Sequence, residues 1–159
     1  MDTDEQVAAA QMQHIADAVK NHDAAALKKL FSARAREKAA DLDGGLAYFV
    51  SAFPSGPVTW KTQGTGMTGD NDFPKRASEL FGNYEVSANG KAYSLYFDYF
   101  SVNDFHPDEV GIYALGIVPS ADDGYTASGA KKPFTEWASQ FDMSDDRAIG
   151  DPGVYVPQN

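Results

Sequence analysis

Few side chains in this sequence are grouped closely enough to suggest a metal site. Asp104, His106, Asp108 and Glu109 bring carboxylate and imidazole ligands into one short segment, which is the composition of a metal site. Their spacing matches no established ligand motif, and an acidic turn with a proline before a buried strand explains the same residues. Asp70-Asn71-Asp72 lacks the glycine and glutamate that complete a calcium loop. We therefore predict no metal ion and no cofactor.

Groups suited to nucleophilic or acid–base catalysis are equally scarce. The absence of cysteine excludes thiolate catalysis and cysteine-ligated zinc. No serine stands in a nucleophile elbow, and Gly64-Thr65-Gly66 lacks the remaining glycine or lysine of a phosphate-binding loop. His14 and His22 fall at or near the polar side of the first predicted helix, where a solvated histidine is the simpler interpretation. These motifs predict no catalytic residue.

The composition is typical of one acidic globular domain. Hydrophobic residues make up 43% of the 159 residues, and 23 acidic against 13 basic side chains give a net charge of -10. This charge opposes binding to nucleic acid or anionic lipid, since both attract positively charged proteins. No run approaches the roughly 20 apolar residues that would cross a bilayer. We predict a single domain, residues 1–159, without a nucleic-acid partner.

Three helices are predicted in residues 3–53. Thr3-Asp4-Glu5-Gln6 has the spacing of a capping box, and the apolar period that follows predicts a helix from Thr3 to Asn21. Asp23 can cap a second helix that extends to Ala40, and a third is predicted from Leu42 to Phe53. Apolar residues recur at helical spacing in these segments, so one side of each helix should pack on the core.

An antiparallel sheet is predicted over residues 57–118, where the apolar period changes to two. Asn89-Gly90 is the preferred pair for a two-residue hairpin turn and sets Ala88 opposite Lys91. One face of this hairpin is then almost wholly apolar. That face carries Leu80, Gly82, Tyr84, Val86, Tyr93, Leu95, Phe97 and Tyr99. The mixed face carries Phe81, Asn83, Glu85, Ser94, Tyr96 and Asp98. We expect the mixed face to be partly exposed to water.

The remaining segments connect strands or return to the body of the domain. Gly64 to Asp72 is glycine-rich and is predicted to be a loop, whereas Val110 to Val118 is apolar on both faces and is predicted to be a strand near the middle of the sheet. Residues 120–132 are rich in glycine, serine and aspartate, and we predict a mobile loop there. The aromatic residues of the tail, residues 133–159, predict that it docks back onto the domain.

Helices followed by antiparallel strands predict an α+β domain in which the helices cover one face of the sheet. Several segments also resemble a bacterial family, domain of unknown function 5104. They are Ile15 to Lys20 with Asp23, Ala26 to Ser32, Asp41 to Gly45 before Tyr48, Trp60-Lys61, and Pro107 to Tyr113. The resemblance covers most of residues 4–118 and implies a nuclear-transport-factor-2-like, cystatin-like cone of helices against a curved sheet. It implies no activity, because this superfamily ranges from enzymes to binding modules.

The resemblance also implies a cellular location. Members of that family are mostly small lipoproteins of Gram-positive bacteria, so we expect an exported, lipid-anchored protein of the cell surface. The export segment and the lipid-accepting cysteine are not part of this sequence. Contact with a membrane is therefore expected only through such an anchor.

The aromatic residues of the sheet have more than one interpretation. Those near the apolar face either fill the core or line a cavity for a small apolar ligand; they are Trp60, Tyr84, Tyr93, Phe97 and Tyr99. Those on the mixed face form a protein interface, such as a homodimer contact, or are scattered surface aromatics; they are Phe81, Tyr96 and Phe100. Tyrosine has an ordinary pKa of about 10 and is a poor base near neutral pH. Neither set therefore predicts catalysis.

Two functional hypotheses follow. The first is a non-enzymatic module that binds a small apolar ligand or a protein partner. The alternative is a small hydrolase or isomerase that uses Asp98 or Glu85, the two carboxylates in the middle of the strands. Because the register places Asp98 on the mixed face, we predict that it is at least partly hydrated and has no large upward pKa shift. That prediction favours the binding module.

Overall fold

In the computed structural model, which describes residues 2–158, helices occupy the first third of the chain. They are α1 (Asp4–Lys20), α2 (Ala24–Lys29), α3 (Ala33–Lys38) and α4 (Leu42–Ala52). The predicted capping box begins α1: the Gln6 amide donates to the Thr3 hydroxyl at 3.2 Å, and the Thr3 amide donates to the Gln6 side chain at 2.7 Å. Within residues 2–158, no helix is both long enough and apolar enough to cross a membrane.

The second predicted helix, residues 23–40, divides into α2 and α3. Phe31, between them, forms a β-bridge with Ile112. The Ile112 amide donates to the Leu30 carbonyl at 2.8 Å, and the Ser32 amide donates to the Ile112 carbonyl at 2.9 Å. The backbone at this point therefore pairs with the sheet and cannot continue the helix.

The sheet has five strands in the order β1-β2-β3-β4-β7, is curved and does not close into a barrel. The strands in chain order are β1 (Thr59–Asp72), β2 (Lys75–Ala88), β3 (Lys91–Asn103), β4 (Gly111–Pro119), β5 (Asp142–Ser144), β6 (Arg147–Ile149) and β7 (Gly153–Val154). Strands β1 to β4 are antiparallel, β7 pairs in parallel with β4, and β5 and β6 form a separate hairpin. This α+β arrangement is the predicted fold class and is consistent with a cone.

The predicted register of the β2–β3 hairpin is confirmed. Ala88 pairs with Lys91 at the turn, and the pairing continues in step as far as Glu79 opposite Phe100. Asn89 has a positive φ of 53° and Gly90 of 75°, which is the backbone that a type I′ turn requires. The local turn chemistry thus fixes which residues share a face.

The prediction of a loop from Gly64 to Asp72 is wrong. Strand β1 continues through it, and Asp72 pairs with Lys75 at the far end of a long β1–β2 ribbon. A register shift between Thr62 and Gly64 interrupts the pairing only locally. Glycine weakens a strand, but here continuous backbone pairing with β2 outweighs the weak propensity of the segment.

The two faces of the sheet are covered by different parts of the chain. The helices cover the apolar face, which we call the inner face. The tail, residues 133–158, packs on the mixed face, which we call the outer face, with Trp137 against Tyr96 at 5.8 Å between ring centroids. The tail includes one short helix, α5 (Pro133–Ala138). The four N-terminal helices thus cover the inner face, whereas α5 is part of the cover of the outer face.

Residues 120–132, predicted to be a mobile loop, contain a 3-10 turn at Ser120–Asp122 and several backbone hydrogen bonds. The Thr126 amide donates to the Ala130 carbonyl at 2.8 Å, and the Lys132 amide donates to the Gly124 carbonyl at 2.9 Å. These bonds give the segment a defined path from β4 to α5. Its mobility stays a prediction.

Candidate functional site

A cleft of about 1170 Å³ opens at the end of the domain that contains the β2–β3 turn. The C-terminal halves of α1 and α4 form one wall, residues 53–58 form another, and the ends of β1, β2 and β3 form the floor. Its apolar lining includes Val19, Val50, Phe53, Val58, Trp60 and Tyr93. We call this depression the hairpin cleft. Its volume is large enough for a small organic ligand.

The hairpin cleft exists because the helical layer ends before it covers the last row of the inner face. Trp60, Val86 and Tyr93 lie side by side on β1, β2 and β3. Val86, in the middle, is fully buried, whereas Trp60 and Tyr93 are half-buried. Helix α4 ends at Ala52, and Pro54 and Pro57 favour a non-helical path after it. The two aromatic rings therefore present apolar surface to the cleft.

The charged side chains around the hairpin cleft are Asp17, Lys20 and Lys91, with His22 beside them. Lys20 and Lys91 are exposed, and among residues 2–158 neither takes part in an ion pair. The Asp17 carboxylate accepts a hydrogen bond from the Gln13 side-chain amide at 2.9 Å. In a chain with a net charge of -10, this rim carries more positive than negative charge.

Only two of the five predicted pocket residues, Trp60 and Tyr93, lie on the hairpin cleft. Tyr84, Phe97 and Tyr99 are buried in the core. The rings of Tyr84 and Phe97 stack with centroids 6.0 Å apart, and burial raises the pKa of Tyr99 to about 12. A ligand-binding role for these five residues stays a prediction.

A second depression, of about 1320 Å³, lies between the start of α4 and the tail. Its lining includes Gly45, Trp137, Pro152 and Tyr155. Most of this lining comes from the tail, whereas the hairpin cleft is built from the helices and the first three strands.

The outer-face aromatics are placed unequally. Tyr96 is buried against Trp137 and Phe141 of the tail, and Phe100 is fully buried. Phe81 remains partly exposed. The same chain therefore covers two of the three predicted interface residues.

The predicted hydration of Asp98 is wrong. Asp98 lies on the predicted face, but its exposed fraction is 0%. Burial, followed by the charge of Glu79 and a hydrogen bond with it, raises the pKa of Asp98 well above the ordinary value. Sequence periodicity identified the face correctly and could not show that the tail covers it. The other candidate, Glu85, is partly exposed and forms an ion pair with Lys61 at 3.5 Å.

Glu79 is a buried carboxyl that the sequence analysis missed. It stands opposite Phe100, so it lies on the outer face diagonally beside Asp98. The pKa of Glu79 is raised to about 7, chiefly by burial; the hydrogen bond from Asp98 opposes this shift, and the charges of Asp142 and Glu109 add to it. Extending the hairpin register by one more pair on the same face would have revealed the neighbouring acids. A register shift between Ser78 and Glu79 marks the end of the regular pairing.

Three ionic side chains fix the tail beside this pair. The buried Glu109 carboxylate accepts from Arg34 at 2.5 Å, from Arg147 at 3.3 Å, and from the Ala148 amide at 3.1 Å. Burial by itself lowers the pKa of Arg34, but the hydrogen bond and charge of Glu109 outweigh it, so the pKa is raised. Tyr113 donates to the Gly150 carbonyl at 2.6 Å. Both ends of the small β5–β6 hairpin are thereby attached to the sheet.

The acidic segment weighed as a metal site serves other contacts. The Asp104 carboxylate accepts from the Arg76 amide at 3.1 Å, Asp108 forms an ion pair with Arg147 at 3.4 Å, and the His106 amide donates to Asn103. Across residues 2–158, no group of three or more histidine or acidic side chains is arranged to hold a metal ion.

Comparison with known protein families gives one match. The family model described as "Domain of unknown function (DUF5104)" matches residues 14–121, which is more than half of the chain. No curated protein and no solved structure matched the chain. The matched segment contains nearly all of the hairpin cleft together with Glu79 and Asp98, and it ends before the tail.

Proposed function

The chain belongs to the DUF5104 family, and we propose that it is a non-catalytic module that binds a small, largely apolar ligand in the hairpin cleft. The family description supplies no activity, so the proposal depends on the site. The observation that carries it is the half-buried pair Trp60 and Tyr93 on the floor of a cleft of about 1170 Å³. Concave apolar surface with a few polar groups at its edge is typical of ligand sites.

The charge at the rim supports an acidic group on the ligand. Lys20 and Lys91 stand on the helix side and the hairpin side of the cleft, and Asp17 is the one acid among its lining residues. A carboxylate or sulfate at the cleft opening would meet two cations without a competing ion pair. An apolar molecule with one anionic end therefore fits the cleft better than a cationic one.

The enzyme alternative has one observation in its favour. Asp98 is buried and its pKa is raised, as is typical of a general base. Neither Asp98 nor Glu79 borders the hairpin cleft or the second depression. A substrate would therefore reach them only after the tail moved. Turnover of ester or ketone substrates that disappears in Asp98→Asn would establish a hydrolase or isomerase instead.

Export and lipid anchoring belong to the same proposal. The resemblance to small lipoproteins supports a position at the outer cell surface, with membrane contact only through an anchor outside this sequence. A protein partner or a second copy would then have to use surface that the tail leaves open, such as Phe81. Fractionation of the native cells, followed by mass spectrometry of the mature N-terminus, tests this location directly.

Two matched fluorescent probes test the binding proposal. Anilinonaphthalene sulfonate is apolar with one anionic group, and phenylnaphthylamine is its neutral counterpart. Trp60→Leu should weaken the binding of both probes by about tenfold, because it removes aromatic contact from the cleft floor. Phe73→Leu is the control, since Phe73 is 91% exposed at the opposite end of the β1–β2 ribbon. Equal probe binding by the Trp60→Leu variant and the unaltered protein would refute the proposal.

The charge at the rim has its own test. Replacing Lys20 and Lys91 together by glutamine should weaken binding of the sulfonate probe about tenfold and leave the neutral probe unchanged. Lys75→Gln, an exposed lysine at the other end of the ribbon, is the control. If both probes lose affinity equally, the ligand has no need of an acidic group, although the apolar cleft would still be its site.

A further inference from the structure

Two acidic side chains are buried beneath the tail, away from the hairpin cleft. Glu79 on β2 and Asp98 on β3 have exposed fractions of 0% and lie diagonally beside each other on the outer face. With both groups ionised, no hydrogen-bond donor among residues 2–158 reaches any of their four carboxyl oxygens. Burying two unpaired carboxylates is strongly unfavourable. Their burial therefore requires a partner that the ionised protein does not supply.

A proton supplies that partner. Once one carboxyl is protonated, it becomes a donor, and the two groups are placed to form a hydrogen bond with each other. Two carboxyls that share a site seldom ionise together. The pair then carries one negative charge instead of two.

The groups around the pair reinforce this preference. Tyr96 on β3 and Tyr113 on β4 are neutral, whereas Asp142 on β5 and Glu109 before β4 add negative charge. The nearby cations, Arg34 on α3 and Arg147 on β6, are bonded to Glu109. A metal ion would need further ligands, and the described residues contain no suitable group of three.

We propose that Glu79 and Asp98 form a proton-binding site that controls closure of the tail over the outer face. With a proton shared between the two carboxyls, Trp137 and Phe141 pack over the outer face as observed. Loss of that proton places two negative charges under an apolar cover. Opening of the tail hydrates both carboxylates and relieves their repulsion. The tail is thus held closed by acidic conditions and released as the pH rises.

The direction of the pH effect follows from linkage. In the open state Glu79 has an ordinary pKa of about 4.3, whereas in the closed state its pKa is about 7. Between these values the closed state holds more protons, so raising the pH favours opening by about tenfold per pH unit for each proton released. Asp98, whose pKa in the closed state is also raised, extends this dependence to higher pH.

Hydrogen exchange of the tail amides measures the opening. In the intact protein, exchange in residues 133–149 should accelerate between about pH 5 and pH 8 beyond the change in intrinsic chemical rate, by about tenfold per pH unit for each proton released. Asp98→Asn should make the excess exchange less dependent on pH, because the side-chain amide of asparagine can donate to Glu79 without a titrating proton. Glu79→Gln is the reciprocal variant and serves if the first fails to fold. Glu85→Gln, on the same strand and face but partly exposed, should retain the excess.

A single-tryptophan protein gives an independent measurement. In a Trp60→Phe background, Trp137 reports on the tail alone, and its emission should shift to longer wavelength as the pH rises. The proposal is overturned if the intact protein shows no excess exchange. It is overturned equally if Asp98→Asn and Glu79→Gln both show the same dependence of excess exchange on pH as the intact protein. It is also overturned if calcium or magnesium slows tail exchange at high pH in the intact protein and not in these variants, because the pair would then bind a metal ion. Probe binding at the hairpin cleft is not involved in any of these outcomes.

Discussion

The inner and outer faces of the sheet are both buried, but by different chemistry. On the inner face the central residues are apolar or aromatic, with Phe97 packed over Gly82, and the helices cover them. On the outer face the tail packs on Tyr96, and the carboxyl groups of Asp98 and Glu79 are buried on the same face. The inner face needs only apolar contact to be stable. The outer face also needs each buried charge to find a counterion or a proton.

This difference separates the roles of the two ends of the chain. The N-terminal helices leave the hairpin cleft open with two aromatic rings at its floor. The tail, in contrast, attaches through specific polar bonds, such as those from the Ala148 amide to Glu109 and from Tyr113 to the Gly150 carbonyl. Variants on the inner face should therefore change stability through packing, and variants on the outer face should change it through charge.

The largest expected effect is on the inner face. Phe97 has an exposed fraction of 0% and contacts Gly82, Tyr84 and Tyr99. Phe97→Ala should lower the free energy of unfolding by about 3 to 5 kcal/mol, because it removes a buried ring and leaves a cavity. Urea denaturation followed by circular dichroism measures this. A loss below about 1 kcal/mol would mean that the inner face is not the main core.

Next in size is the loss of the counterion of Glu109. Arg34→Met keeps the apolar stem of the side chain but leaves Glu109 with Arg147 and one backbone amide. We expect a loss of about 2 to 3 kcal/mol, since a buried charge loses its shortest ion pair. Lys28→Met is the matched control: it breaks an exposed ion pair with Asp43 at 2.8 Å and should cost less than about 1 kcal/mol. Equal losses in the two variants would contradict a structural role for the buried pair.

A smaller loss of stability is expected when one glycine on each face of the sheet is replaced by alanine. A Cβ atom at Gly82 would overlap the Phe97 ring, and one at Gly116 would lie 2.8 Å from Phe134 and from Tyr155 of the tail. Each alanine substitution should cost about 1 to 3 kcal/mol through overpacking. Gly116→Ala should cost less in global denaturation and should raise proteolysis of the tail, because the tail can move away. The reverse order of losses would mean that the tail is held as rigidly as the core.

The smallest effect is expected at Glu85. Its carboxylate is partly exposed, and its ion pair with Lys61 at 3.5 Å involves a mostly exposed lysine. Glu85→Ala should change the free energy of unfolding by no more than about ±0.5 kcal/mol. Thermal denaturation alongside Phe97→Ala gives the contrast. A large destabilisation would show that the outer face is buried beyond the area that the tail covers.

Local signals predicted much of this fold. The capping box at Thr3 and the turn at Asn89-Gly90 involve residues close together in sequence, and both form as predicted. Such bonds depend on few distant contacts, so a single sequence contains the information for them. The family resemblance was found in the same way, from segments in the first 118 residues.

Long-range contacts explain what the sequence did not predict. The break in the second helix depends on Phe31 pairing with Ile112, and β1 extends because Asp72 finds Lys75 across the ribbon. The burial of Asp98 depends on a tail about forty residues later in the chain. For the candidate site, Trp60 and Tyr93 were predicted from their residue type, whereas Glu79 was missed. Periodicity assigns a residue to a face and says nothing of what later covers that face.

The way the tail is attached has a consequence for the order of folding. The bonds from Arg34 reach Glu109 and Ala148, which are 75 and 114 residues further along the chain. Contacts of such separation form after local ones, because more chain entropy is lost in closing them. During synthesis, the hairpin would therefore form while Glu79 and Asp98 still face water as carboxylates. The final docking step would then take up a proton from solution, so the rate of maturation should depend on the acidity of the compartment in which the chain folds.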